Sequence, residues 1–416
     1  MTWSDESLAL IPEDVSDERI VELGLNLLRG DLLLPALVLK ESALAHNITL
    51  MADYCRVHGL SLAPHAKVTM VPKIIQRQVD AGAWGVCAAS ISQVRVLRAH
   101  GFRRIFLVNE LVEATAVRWI ASQLADDSGF EFYCLVDSTD GVELLSAMLR
   151  SAHASRQLPV LIEIGVRGGR AGCRTLEEAK RIAAAIAASR HLRLVGIEGF
   201  ESVVEHLNPA DVLSAVDSFL LNMRSIAEEL ARANAFDGLD EVIVSAGGST
   251  YFDRVAKLLG DWDLAVPVRI LLRGGAYVTH DAGLNERMSP LAGRSQASPR
   301  LREAVEVWGA VLSRPEPDLA VVGFGKRDAP HCEGLPVAHF VYRRSGGLGP
   351  APDGLSVDSL NDQHAYVGLL SGADLKLGDL LGCGISNPCC PGFQKWRTIP
   401  VVDDDYNVIE VVRSYP

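Results

Sequence analysis

Residues 192–248 hold LRLVGIEGF (192–200), AVDSFLLNMRSIAEELARANA (215–235) and EVIVSAGG (241–248), in that order. The two outer runs are short, β-branched and almost free of polar residues, as strands covered on both faces are. In the middle run apolar residues recur at three- and four-residue intervals, which lines them along one side of a helix. A buried strand, a helix and a second buried strand make a βαβ unit, and repeated βαβ units build a parallel sheet. The same alternation continues outward. Upstream lie LPALVLK (34–40), LSLAPHA (60–66), WGVCAAS (84–90), RRIFLVN (103–109), FEFYCLVD (130–137) and LPVLIEIG (158–165), and downstream VRILLRGG (268–275). Segments of helical period, such as ISQVRVLRAHG (91–101) and TLEEAKRIAAAIAASR (175–190), separate them. The pattern predicts an α/β protein built on a (β/α)8 TIM barrel. Nine strand candidates are one too many for such a barrel, so the first or the last belongs elsewhere.

The texture changes after residue 280. Residues 284–304 (LNERMSPLAGRSQASPRLREA) are polar and rich in Pro, Ser and Gly, as a crossing between domains is. Beyond them EVWGAVLSR, LAVVGFG, VAHFVYRR, AYVGLL and IPVVDDDYNVIEVVR are short strand-like runs separated by Gly and Pro, which predicts an antiparallel β-rich domain.

Composition narrows the classes of partner. The 416 residues are 48% hydrophobic, too apolar for disorder. Lys+Arg 40 against Asp+Glu 52 leaves a net charge of −12, so no nucleic acid partner is expected. No run of 18 apolar residues occurs, which predicts no membrane span. The first twenty residues carry no basic segment leading an apolar core, so a cytoplasmic location is expected. The eight scattered cysteines are then expected to be reduced thiols.

Several residues are placed for chemistry. Lys67, in PHAKVTM (64–70), follows a predicted strand, and barrels carry their reactive groups at strand C-termini. A partly desolvated lysine there favours Schiff-base chemistry, while an exposed strand-end lysine is the plainer alternative. SAGGST (245–250) offers Gly247 and Gly248 for close backbone approach and Ser249 as a hydroxyl before a helix, which is either an anion cradle or an ordinary capped turn. GVRGGRAGC (165–173) brings Arg167 and Arg170 to a strand end, and LRGGAYVTHD (272–281) brings Gly274, Gly275, Tyr277 and His280 to another. His364, in LNDQHAY (360–366), is either a general base or a structural histidine. In GISNPCCPGFQKW (384–396) the adjacent Cys389 and Cys390 have no histidine at metal-ligand spacing.

Taken together, PHAKVTM, QVDAGAWGVCAAS, GGRAG, GIEGFE, SAGGST, LRGGAYVTHD, GKRDAPHCEGLP, LNDQHAY and GISNPC resemble, in order, the D-threonine aldolase and D-serine dehydratase family of pyridoxal-phosphate enzymes. The similarity is greatest to its amino acid deaminase branch, which also has threonine where Thr69 stands. The resemblance implies the alanine racemase-like fold (fold type III): residues 1–44 joining a β-domain, 45–280 a cofactor-binding barrel, and 281–416 the β-rich remainder. It implies that Lys67 holds pyridoxal 5′-phosphate covalently, that Arg170 faces the ring nitrogen, and that Gly247, Gly248 and Ser249 bind the phosphate with backbone near Gly274 and Gly275. Tyr277 matches an aromatic residue beside the cofactor, and His65 is placed to orient a phosphate or a proton.

One departure touches the metal. The family holds zinc or manganese through His-x-Cys or His-x-Asp, whereas this chain reads Asn387-Pro388-Cys389. Asparagine is a poor zinc ligand, which leaves Cys389 alone of the pair. Cys389 and Cys390 with His331 or His364 are the other conceivable set. The expectation is a site working without metal, with His364 or His65 as the base for the β-hydroxyl. The implied activity is that of a lyase cleaving or deaminating a D-configured 3-hydroxy amino acid, in a homodimer. A metal-independent racemase or transaldolase, and a non-catalytic cofactor carrier, are the alternatives. Carriers of this barrel form lack the large β-domain.

Overall fold

The computed structural model describes residues 8, 15–205, 211–262, 264, 266–296, 298–370, 373–387 and 395–415. The chain divides into two compact units, one of Met1–Met51, Val68–Arg77 and Ala276–Pro416, the other of Ala52–Lys67 and Gln78–Gly275.

The second unit is the barrel. Its strands are Ser61–Leu62, Val86–Ala88, Arg104–Glu110, Glu131–Val136, Leu158–Ile164, Leu192–Gly199, Val242–Ser245 and Val268–Leu272. Each pairs in parallel with its sequence neighbour from Val86–Ala88 onward, and the last pairs with the first. The ring closes where the Cys87 N–H donates to the Pro64 carbonyl at 3.0 Å and His65 bridges Cys87 in parallel. Ala63, Cys87, Phe106, Leu135, Leu161, Val195, Ile243 and Leu271 form one buried cluster, a residue from each strand or its immediate extension. That cluster fills the barrel below its mouth, so only the strand ends are left for chemistry.

The outer helices follow from local sequence. Thr175 and Glu178 form a capping box at the start of Leu176–Ala188, and Ala179, Ile182, Ala183 and Ile186 are its buried face. Asp211 caps Val212–Arg232, which buries Val216, Phe219, Leu220, Met223, Ile226, Ala227 and Leu230.

The first unit carries a ten-stranded sheet. Ala36–Lys40, the ninth strand candidate, lies inside it, antiparallel to Val305–Glu316 and parallel to Thr398–Val402. The N-terminal segment thus supplies an interior strand of the β-rich domain. Three strands escape the sequence pattern: Gly347–Pro350, Leu355–Leu360 and Leu380–Gly384. The last is central, paired on one side with Val305–Glu316 and on the other with Val337–Arg343. Its glycines hide it, and they are needed there. A Cβ on Gly382 would stand 2.4 Å from Cζ2 of the buried Trp308.

Cys55, Cys87, Cys134, Cys173 and Cys383 are buried free thiols, and burial pushes Cys55, Cys87 and Cys173 up to about 12. Cys332 is disulfide-bonded, which corrects the expectation of reduced thiols at that position. Among the described residues no helix is long and apolar enough to cross a membrane.

Candidate active site

The C-terminal ends of the barrel strands enclose a cavity of about 190 Å³. His65, Lys67, Asn109, Glu163, Arg170, Phe200 and Arg273 line it. Lys67 sits in the short 3-10 turn Ala66–Val68 beyond the first strand and is exposed, so its ammonium is solvated rather than desolvated as one reading anticipated. Beside it, His65 has a buried Nδ1 without a hydrogen-bond partner. Burial, then the positive charges of Lys67, Arg273 and Arg170, hold this imidazole well below its usual range, so it is neutral at pH 7.

Two guanidiniums face the cavity under different constraint. Arg273 is buried, pairs with Glu198 at 2.5 Å and donates to the Gly199 carbonyl at 3.0 Å, leaving its buried Nε without a partner. Arg170 has a side chain 56% exposed and lies 3.6 Å from the buried Glu163. Both lie over the Phe200 ring, at 5.3 Å for Arg170 and 5.8 Å for Arg273. Behind them stand Glu110, whose buried Oε1 has no hydrogen-bond partner, and the buried Glu163. Burial, then the neighbouring Glu163 carboxyl, push Glu110 up to about 8.

The glycine turn 245–250 lies at the end of the seventh strand. Gly247 has φ of +90°, and a Cβ there would meet Leu272 Cδ2 at 2.5 Å, so only glycine fits. The amides of Gly247 and Gly248 donate to the two carboxylate oxygens of Glu201, at 2.9 and 2.7 Å. The Arg273 N–H donates to the Gly247 carbonyl at 2.9 Å, and Gly274 packs against Gly248 and Ser249. Among the described residues, the amides of Gly274 and Gly275 donate to no protein group.

The structure thus gathers His65, Lys67 and Arg170 around one cavity, and brings the Gly247–Ser249 turn against Gly274. Tyr277 and His364 belong to the other unit. Tyr277 is buried in the turn Ala276–Val278, and His364 is exposed, with its carbonyl accepting from the Asn361 N–H at 2.8 Å. Asn387 is buried, whereas Cys389 and Cys390 lie outside the described residues. Among the described residues no group of three His, Cys, Asp or Glu is arranged to hold a metal. The motifs did not single out Glu110, Glu163, Glu198, Phe200, Glu201 or Arg273. The available signal was position: Glu110, Glu163 and Glu198 fall in the last two residues of their strands, and Arg273 directly precedes Gly274-Gly275.

A glycine-lined turn, arginines and a lysine at the mouth of a barrel, with a strand-rich unit built from both chain ends, agree with the family match. Residues 39–258 match the alanine racemase N-terminal domain model, and the chain belongs to that family. The family is pyridoxal-phosphate dependent. Residues 304–402 match a putative serine dehydratase domain. The 3-hydroxy-D-aspartate aldolase of Paracoccus denitrificans (strain Pd 1222) is 26% identical over 362 residues, 86% of each chain. The solved D-threonine aldolase from Filomicrobium marinum superposes with a TM-score of 0.74 at 25% identity, covering 94% of this chain and 96% of that one. The D-threo-3-hydroxyaspartate dehydratase from Delftia sp. HT23 shares the fold, with a TM-score of 0.71 at 19% identity and coverage of 94% and 99%.

Proposed function

We propose that this chain is a pyridoxal-phosphate lyase acting on a D-configured 3-hydroxy amino acid. The observation that carries the reading is Lys67 beside a neutral His65 and two guanidiniums in one barrel cavity, in a family that uses this cofactor. The residues present suit the group. A primary amine is available for its aldehyde, arginines for its ring and a carboxylate, and the amides of Gly274 and Gly275 with Ser249 for its phosphate. The buried, unpartnered His65 Nδ1 and Arg273 Nε are polar atoms that a polar occupant would satisfy.

When bound, pyridoxal phosphate supplies an electron sink that weakens the bonds to the substrate Cα. The chain's own groups decide which bond reacts. Lys67, lining the cavity, is the chain's group placed to take or return a proton at the substrate Cα. His65, held neutral by burial and the nearby positive charges, offers its unpartnered Nδ1 for a hydrogen bond without adding charge to the cavity. Arg170, loosely held, is the partner proposed for the ring nitrogen, and Arg273, fixed by Glu198, keeps a second positive charge in place. Removal of the β-hydroxyl proton leads to Cα–Cβ cleavage into an aldehyde and a shorter amino acid. Loss of the Cα proton and the hydroxyl, as water, instead leaves an enamine that tautomerises to an imine and takes up water to give an oxo acid and ammonia.

Asn387 in place of a metal-ligating histidine does not suit zinc or manganese, so no step is routed through a metal. The relatives named as aldolases favour cleavage, and the dehydratase-like segment favours deamination. A homodimer in the cytoplasm completes the reading. The test is a panel of D- and L-3-hydroxy amino acids, with and without chelator, assaying aldehyde and ammonia separately. Turnover of D-isomers unaffected by chelator is expected. Turnover confined to L-isomers, racemisation alone, or loss of activity with chelator would each overturn the corresponding part.

A further inference from the structure

The amides of Gly247 and Gly248, which a glycine-rich turn would offer to a phosphate, are already bound to the chain's own carboxylate. Glu201 is fully buried, and its two oxygens take the two amides at 2.9 and 2.7 Å. A second tie runs alongside, with Ser202 Oγ 3.3 Å from Thr250 Oγ1. The short turn Glu201–Val204 and the turn 245–250 are therefore stitched together at three points. The stitching has a physical cause. Gly247 sits at φ +90° against Leu272, and a Cβ on Gly248 would lie 2.9 Å from Phe200, so this turn has one narrow path to follow. Two charge-assisted hydrogen bonds hold it on that path.

We propose that Glu201 is the positioning residue of the phosphate site. It clamps Gly247 and Gly248 from behind, so that the opposite side of the turn, Ser249 with the amides of Gly274 and Gly275, is presented to the anion. Gly274 supports that division. It packs with its Cβ position 3.3 Å from the Gly248 carbonyl, while its own amide has no acceptor among the described residues. The anion site therefore has its donors on one side and a resident carboxylate on the other. The opposing arrangement, in which Glu201 merely fills the phosphate's own place and leaves on loading, predicts a change of affinity of the opposite sign.

This inference rests on the cofactor reading above, and the test separates the two. Cofactor-free protein is titrated with pyridoxal 5′-phosphate and, in parallel, with pyridoxal, following the absorbance of the lysine adduct. Wild type should prefer the phosphorylated compound. In Glu201→Gln one oxygen becomes an NH2 that cannot accept, so one glycine amide is orphaned in the interior. Affinity for pyridoxal phosphate should fall by about 10- to 100-fold, with affinity for pyridoxal unchanged. Glu201→Asp, which keeps the charge but shortens the reach, should fall between, and it provides the same comparison if the glutamine variant does not fold. Equal or tighter binding of pyridoxal phosphate by the variant would overturn the proposal in favour of a displaced placeholder. Equal weakening of both ligands would overturn it in favour of general destabilisation. Wild type that binds neither compound would instead remove the cofactor reading, and this proposal with it.

Discussion

Glu110 holds a proton at neutral pH that the same carboxyl group would release in the unfolded chain, because burial and Glu163 disfavour its charge and push it up to about 8. Below its unfolded value both states are protonated and the group contributes no pH dependence. Between the ordinary glutamate value, about 4.3, and about 8, only the folded state keeps the proton, so stability falls as pH rises through that window. Melting temperatures of Glu110→Gln should therefore vary less with pH between these limits than wild type. An unchanged pH slope in the variant would show that the pair holds no extra proton. The two arginines should separate in the same measurement. Arg273→Ala strands the buried Glu198 and should destabilise the fold by about 3–5 kcal/mol. Arg170→Ala removes a half-exposed partner and should cost under about 1 kcal/mol, while shifting the absorbance of the bound cofactor. If Arg170→Ala leaves spectrum and kinetics untouched, it does not face the ring.

Among the elements, the barrel strands were legible because both faces are covered and their apolar runs are unbroken, and the β-domain strands only where alternation survives. Leu380–Gly384 reads as a loop because Gly382 and Gly384 interrupt it, although Trp308 leaves no room for a Cβ at Gly382, and Glu303, His339 and Ala282 leave none at Gly384. Gly382→Ala should accordingly destabilise the sheet by about 1–3 kcal/mol through overpacking, measurable by denaturant titration. A neutral substitution would mean that Trp308 can move aside. The site divides along the same line. Lys67, Arg170 and the glycine turns stand in short motifs and were readable one at a time. Glu163, Glu198 and Glu201 each look like a lone acidic residue in or after an apolar strand, and their meaning comes from strands that only barrel closure brings together. Arg273 stands beside more conspicuous glycines, and its pairing with Glu198 exists only once the strands are brought together.

At the scale of the whole molecule, a chain of net charge −12 combines a barrel whose mouth is lined by Lys67, His65, Arg170 and Arg273 with a ten-stranded sheet assembled from both ends of the sequence. The dimer proposed for it should sediment at twice the chain mass of 44.9 kDa. A fully active monomer would exclude any need for a partner's β-domain. The proposed chemistry depends on one covalent bond, between Lys67 and the cofactor, and a single labelling measurement tests it. Protein loaded with pyridoxal 5′-phosphate is reduced with borohydride, digested, and its modified peptide sequenced by mass spectrometry. The account predicts stoichiometric label on the peptide containing Lys67, and none in Lys67→Ala. Label on another lysine, or no incorporation, would contradict it.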